Sequence, residues 1–346
     1  MSKKFIAVLL VLLMAATALA GCGGNGGNGG DGAGTDGDKP KAIELKLSTA
    51  VPDTSSWYAG ADYFAKTIAE KTDGKFSIKI YGSDQLSGGN QVGSIEMLQQ
   101  GVIDLHMQDA LLWSSIEPKI AVPAFPWLLS SYEEVDAAME GDGGAALKEL
   151  VSNSGAVCLG IGESGYRQIV NNKKEIKAPE DLKGLKLRVP GIEMYVNLFK
   201  ALGADPISMN QSEVYTSLQQ GALDGCENTL DLLVTQNTCE VVKYMTIWNY
   251  SYDPVIFSAS EKLWGTLTDD EKALFEEVGK EAMEMQKEAA RKAYDDSKAK
   301  LADYDLAVTE LSDGDIAAFK EAVKPVYEQY KDTIGEELFA KFGYKF

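Results

Sequence analysis

The chain is poor in the groups that carry most catalytic and metal chemistry. It has one histidine, His106, in 346 residues. That count leaves no room for a histidine-rich metal site or a histidine relay. Cysteine is scarce too, with four in the whole chain: Cys22, Cys158, Cys226 and Cys239. They form no C-x-x-C pair and are too few for a disulfide scaffold at this length. There is no Walker A sequence. No apolar run reaches 18 residues, so no segment reads as a membrane span. Basic residues are outnumbered, 33 Lys and Arg against 52 Asp and Glu, for a net charge of −19. Affinity for phosphate backbones comes from clustered Lys and Arg, so this balance excludes a nucleic-acid partner. Together the absences predict a protein with no metal, no cofactor and no enzymatic chemistry.

What is present begins with a leader. Lys3 and Lys4 precede an apolar run over residues 5–18, which has the form of a secretory signal peptide. It ends Leu19-Ala20-Gly21-Cys22. This resembles the bacterial lipobox, in which the cysteine becomes lipidated after cleavage. Residues 1–21 are thus expected to be removed, and Cys22 to hold a lipid. Residues 23–40 are rich in Gly, Asn and Asp and bury too little apolar surface to fold. As a flexible tether they would span roughly 23 Å. The expected location is extracytoplasmic, anchored to a membrane by lipid. Three cysteines then remain, so at least one thiol is free. A bond between Cys226 and Cys239 stays open, because spacing does not report geometry.

The body has ordinary globular composition, 45% hydrophobic and 25% charged, and its length suggests about two domains. Residues 43–49 alternate apolar and polar and read as a strand. Residues 57–71 carry apolar residues at helical spacing. Residues 76–81 form a second strand, 93–100 a short helix and 103–107 a third strand. The alternation recurs: strand at 156–161, an extended stretch at 166–171, strand at 185–189, helix at 193–202 and helix at 212–220. Residues 261–303 are strongly helical, with Thr268-Asp269-Asp270-Glu271 supplying acids at an N-terminal turn. More helix follows over 316–339. This predicts an α/β fold with a largely parallel sheet, two lobes and long C-terminal helices. His106 falls on the polar phase of its strand and reads as a structural histidine.

One motif suggests a nucleotide and fails on context. Gly160-Ile161-Gly162-Glu163-Ser164-Gly165 matches G-x-G-x-x-G after a strand, with Asp181 about 20 residues on. The residues that follow alternate like a strand and open no helix. A dinucleotide site is therefore not expected.

The specific signal lies in residues 179–228. Three blocks carry it. The first is Asp181-Leu182-Lys183-Gly184-Leu185-Lys186-Leu187-Arg188-Val189-Pro190. The second is Ala201-Leu202-Gly203-Ala204 followed by Pro206. The third is Glu213-Val214-Tyr215 leading to Gln219, Gly221 and Asp224-Gly225-Cys226-Glu227-Asn228. In order and spacing they resemble the extracytoplasmic solute receptors of TRAP transporters, the tripartite ATP-independent periplasmic carriers of organic acids. The likeness runs from about residue 45 to about residue 292, with Gln85-Leu86 and Phe125-Pro126 in place. It implies a two-lobe periplasmic-binding-protein (Venus-flytrap) architecture with long C-terminal helices bracing both lobes. The boundaries it suggests are 41–165 plus about 252–290 for lobe I, and 166–251 plus about 291–346 for lobe II and the bracing helices.

Arg188 can be argued without the resemblance. It ends a predicted strand before a Pro-Gly break, and ligands collect at the carboxyl ends of strands in open α/β sheets. A planar guanidinium there can hold a carboxylate through two bonds. The resemblance assigns it that role. It also implies a second charge-assisted contact from Arg167, a pocket amide at Asn228 and an acidic pocket residue at Asp109. Glu227 is expected to fix local structure. Two departures concern the ligand: Gln211 stands where the family often has an aromatic, and Tyr250 where many members have His. With Asp109, they lean towards a hydroxylated acid such as a sugar acid over a plain dicarboxylate. Trp57, Trp127, Trp248 and Tyr252 are candidate pocket walls, with core packing the more common use of such residues. The expected function is capture of an organic-acid anion between the lobes for an ion-coupled TRAP permease. Two other readings stand beside it: a receptor that presents ligand to a sensor kinase, and an extracytoplasmic enzyme on acidic carbohydrates. For the enzyme no carboxylate pair is specified.

Overall fold

The computed structural model describes residues 41–346. The leader, Cys22 and the tether lie outside the described residues. Ten strands are joined by pairing: β1 Ile43–Thr49, β2 Phe76–Tyr81, β3 Leu105–Asp109, β4 Ala156–Asn171, β5 Lys186–Val189, β6 Asp205–Ser208, β7 Gly225–Thr229, β8 Tyr244–Ile247, β9 Tyr252–Ser260 and β10 Ala307–Glu310. Their order is β2-β1-β3-β9-β4-β7-β5-β6, with β8 on β4 and β10 on β8. β4 joins two halves. Its residues from Ala156 to Tyr166 pair with β9, and those from Arg167 to Asn171 pair with β7. The first half is thus β2, β1, β3, β9 and the start of β4. The second is the end of β4 with β7, β5, β6, β8 and β10.

The sheet is mixed, which corrects the expectation of a largely parallel one. β1, β2 and β3 run parallel, as do β5, β6 and β7, but β9 and β4 are antiparallel to their neighbours. The sequence hides β9 because all nine of its residues are buried and Pro254 lies inside it. A strand covered on both faces shows no alternation. The stretches at 156–161 and 166–171 are one continuous strand with two register shifts. Residues 103–107 also shift. The strand is Leu105–Asp109, buried throughout, so the alternation that put His106 on a polar face does not apply. His106 is fully buried, its Nε2 lies 3.0 Å from Ser94 Oγ, and burial pushes its pKa down to about 3. It is neutral and structural. Cys158, Cys226 and Cys239 are free thiols.

A 32-residue helix, Asp269–Lys300, runs past both halves. Its start is capped by Thr268 and Glu271, each bonding the other's backbone amide. It packs on the helix Ser56–Lys71 and on β4, then on the helix Leu230–Thr235 beyond. The glycine-rich motif belongs to this contact. A Cβ at Gly160 would sit 2.7 Å from Met283 Cγ, and one at Gly279 would sit 2.8 Å from Leu159 Cβ. Bare backbone on both partners lets helix and strand approach. Gln286, fully buried, donates to Glu163 O at 2.7 Å and accepts from Glu163 N at 2.8 Å. It satisfies the two backbone groups beside the second register shift. Arg291 holds Asp136 at 2.6 Å and Glu163 at 3.1 Å, which pins the helix to the first half. The C-terminal helices Asp313–Ile334 and Glu336–Lys341 seat Tyr327 and Phe339 against Phe125. Among the described residues no helix is long and apolar enough to cross a membrane.

Candidate functional site

Where the two halves face each other, strand ends converge on a small cavity of about 20 Å³. Asp109, Arg167, Arg188, Gln211 and Asn228 all line it, with Trp57, Gln91 and Gln236 among the rest of the wall. The five residues singled out from sequence are thus brought together. Asp109 closes β3, Arg167 opens the second section of β4, Arg188 lies on β5 and Asn228 on β7. Gln211 begins the short turn Gln211–Glu213. The cavity adjoins an outer groove of about 260 Å³ that shares Ala50, Gln91, Gln211 and Gln236 with it and adds Ser83, Asp84, Ser212 and Tyr215.

The two arginines stand in opposite circumstances. Arg167 is held by two acids. Its Nε donates to Glu227 Oε2 at 2.5 Å, Nη2 to Glu227 Oε1 at 3.0 Å and Nη1 to Asp253 Oδ2 at 2.5 Å. The guanidinium also lies 5.5 Å from the Tyr195 ring centre. Burial opposes its charge, but Glu227 and its other neighbours outweigh burial and hold its pKa above the ordinary arginine value. Glu227 further accepts from Tyr250 Oη at 2.6 Å. Tyr250 therefore helps to fix the acid that fixes Arg167.

Arg188 is 2% exposed and forms no ion pair among the described residues. Its Nε donates to the Met209 carbonyl at 2.9 Å. Burial pushes its pKa down to about 10, against the pull of Glu227. At neutral pH it is still charged. A buried cation without an ion-pair partner is costly, so the terminal nitrogens of Arg188, which make no hydrogen bond among the described residues, can take an anion.

The remaining wall is polar and amide-rich. Asn228 Nδ2 donates to Gln211 Oε1 at 3.2 Å, and Gln211 Nε2 donates to Gln236 Oε1 at 2.6 Å. The Gln211 backbone amide donates across the cleft to Gln91 Oε1 at 3.2 Å. Asp109 Oδ1 accepts from Leu112 N at 2.8 Å, and burial raises its pKa against the effect of Arg167. A second clasp crosses the cleft. Asp231, on the second half, accepts from Ser56 Oγ at 3.2 Å and Ser55 Oγ at 3.3 Å, at the start of the helix Ser56–Lys71. These cross-cleft bonds describe a closed arrangement.

Sequence reading missed Asp253, Gln91 and Gln236. Asp253 sits in the strand that reading did not find. Gln91 and Gln236 carry no motif; only the fold brings them to the cavity. Of the aromatic candidates, Trp57 is at the wall, while Trp127 and Trp248 pack edge to face at 5.7 Å in the core. Tyr252 donates to Glu163 at 3.2 Å, away from the cavity.

Two sheet halves, a cleft at strand ends and a buried guanidinium without an ionic partner define a solute receptor. Residues 47–333 match the family of bacterial extracellular solute-binding proteins, family 7. The chain belongs to that family, the substrate-binding receptors of TRAP transporters, which are extracytoplasmic proteins and not enzymes. An uncharacterised protein of Salmonella typhimurium is 33% identical, over 78% of this chain and 82% of its own. A TRAP periplasmic solute-binding protein from Ralstonia eutropha, solved with (S)-2-acetolactate, has TM-score 0.82 at 31% identity, covering 86% of this chain and 97% of its own. The sugar acid binding protein of Advenella mimigardefordensis, solved with galactonate, has TM-score 0.82 at 28% identity, covering 87% and 97%.

Proposed function

We propose that this receptor captures a hydroxylated organic-acid anion, with its carboxylate on Arg188 and its hydroxyls along the amide wall. The observation that carries the reading is Arg188 itself, buried and without an ionic partner. A carboxylate is the anion whose two oxygens match the guanidinium fork. Arg167, held by Glu227 and Asp253, keeps one Nη1 hydrogen for the ligand and mainly shapes the wall. Gln211, Asn228, Gln91 and Gln236 present amides that both donate and accept, which suits hydroxyl groups. Asp109 accepts from a ligand hydroxyl. The inner cavity is too small for a whole sugar acid, so the lobes part to admit it and the chain of hydroxyls extends into the adjoining groove.

The lobes of this receptor are residues 41–165 with about 252–290, and 166–251 with about 291–346. The closed, loaded form delivers its anion to a TRAP permease, and lipid on Cys22 holds the receptor at a membrane through the tether. The lipobox-like ending of the leader supports the anchor. Mass spectrometry of ligand released on denaturing the purified protein tests the reading. A hydroxylated carboxylic acid is expected; a released ligand with no acid group refutes it.

A further inference from the structure

The cavity and the layer behind its wall hold more buried acid than base. Asp109, Glu227 and Asp253 face Arg167 and Arg188, and all five are at most 9% exposed. They come from five strands, β3, β7, β9, β4 and β5 respectively. The other titratable groups facing this set are Asp84 from the groove, the phenols of Tyr195 and Tyr250, and the Cys226 thiol beside Arg188. Asp253 is the anomaly. Its Oδ2 receives Arg167, but its Oδ1 is buried with no hydrogen-bond partner among the described residues. A bare carboxylate oxygen in that position is costly. Protonation removes the charge and so lowers that cost.

We propose that the receptor takes up one proton with each anion, and that the Asp109–Asp253 pair holds it. This rests on the reading of Arg188 as the carboxylate anchor. The charge count gives the reason. Three carboxylates already oppose two guanidiniums in the cluster. An arriving anion adds a negative charge, and closure removes the water that screens it. A proton from solvent, forming one O–H bond on either aspartate, restores the balance that the anion disturbs. Burial and the neighbouring Asp109 charge already push the Asp253 carboxyl well above the usual range, so little is needed to fill it. Interacting acids titrate together, so the proton belongs to the pair.

The sign follows from linkage. Anion binding raises the pair's affinity for a proton, so a proton must raise its affinity for the anion. Binding tightens as pH falls, by at most about tenfold per pH unit for one linked proton. The trend levels off once pH falls below the pair's pKa in the free receptor, and it reverses where the ligand's own carboxylate protonates, near pH 4 or below.

The test is titration calorimetry of the whole protein with galactonate, glucuronate, 2-acetolactate and succinate at pH 7, using whichever binds. Repeating the titration in phosphate, imidazole and Tris, whose ionisation heats differ, counts the protons. The expected result is net uptake approaching one proton per anion, with Kd falling between pH 8 and pH 6. Asp253→Asn and Asp109→Asn each reduce the uptake, while Asp136→Asn, which alters an acid paired with Arg291 outside the cavity and groove, leaves it intact. Binding with no proton uptake in the unmodified protein overturns the inference and leaves the receptor reading standing. Uptake lost in Asp136→Asn but kept in both other variants also overturns it. No binding by any of the four acids removes both.

Discussion

Replacing Arg188 by Met separates the roles of the two arginines. Met keeps most of the length of the side chain and removes the charge. In the closed form without ligand Arg188 is buried without an ion pair, so losing its charge removes a desolvation cost there. The loss of its bond to the Met209 carbonyl works the other way, at about 1–3 kcal/mol for an unsatisfied buried group. The two roughly offset, and the melting temperature of Arg188→Met should be unchanged or raised. Binding behaves differently. Removing one partner of a buried, hydrogen-bonded charge pair costs about 2–5 kcal/mol, which is roughly thirtyfold to several thousandfold in Kd. Arg167→Met should show the reverse weighting. It strands Glu227 and Asp253 in the interior, at about 3–5 kcal/mol, which lowers the melting temperature on the order of 10 °C. Thermal unfolding without ligand and calorimetry with the best acid read both quantities. If Arg188→Met binds normally, or unfolds as early as Arg167→Met, the reasoning from its lack of a partner is wrong.

The cross-cleft clasp should matter for affinity more than for folding. Asp231→Ala removes the acceptor of Ser55 and Ser56, so ligand affinity is expected to fall by about tenfold to a hundredfold, as for hydrogen bonds to a charged group, and small-angle scattering should show a more open average form. An unchanged Kd would mean that the clasp does not hold the cleft shut. Gln286→Ala leaves the Glu163 amide and carbonyl buried and unsatisfied, and should cost about 2–4 kcal/mol in chemical denaturation without altering the cavity residues. Asp136 should contribute to acid unfolding. Its bonds to Arg291 lower its pKa to about 2, so its stabilisation is present above the ordinary aspartate range and is lost as pH falls towards 2. Asp136→Asn should flatten the fall in melting temperature between pH 4 and pH 2; an unaltered slope there refutes the assignment.

Much of this architecture was legible where a single sheet face or helix face is exposed. β1 and β2 coincide with the alternating segments at 43–49 and 76–81, because solvent covers part of each. The long helix was legible from its strongly helical composition and from the acids at its first turn, Thr268-Asp269-Asp270-Glu271. Legibility failed in the interior. β9 is buried from Tyr252 to Ser260, so no periodicity marks it, and with it went Asp253. The glycines of 160–165 mimicked a nucleotide loop because close packing of a helix on a strand needs the same absence of side chain that a phosphate does. Arg188 and Arg167 were both expected to contact the ligand. Only the fold shows that one is bound by two acids and the other by none.

That difference explains how an acidic protein can recognise an acid. A net charge of −19 repels anions at long range, but exposed charges more than about 10 Å apart are largely screened in salt. Inside the cleft the field is set by a few buried groups instead. Arg167 is cancelled by Glu227 and Asp253 before any ligand arrives, so it adds geometry and little free charge. Arg188 alone carries positive charge to which no side chain pairs. The closed form therefore gains from an anion what the open, hydrated form does not, because in the open form water already solvates Arg188. Such a difference between states is what a ligand needs in order to close a receptor. Shifting the cleft from 1:99 to 99:1 closed takes about 5.5 kcal/mol of preference. A carboxylate on Arg188 supplies a large part of this, and hydroxyls bridging Gln91 on one lobe to Gln211 and Asn228 on the other supply the remainder. A ligand with the acid group but no hydroxyls would bind Arg188 and still close the cleft less completely.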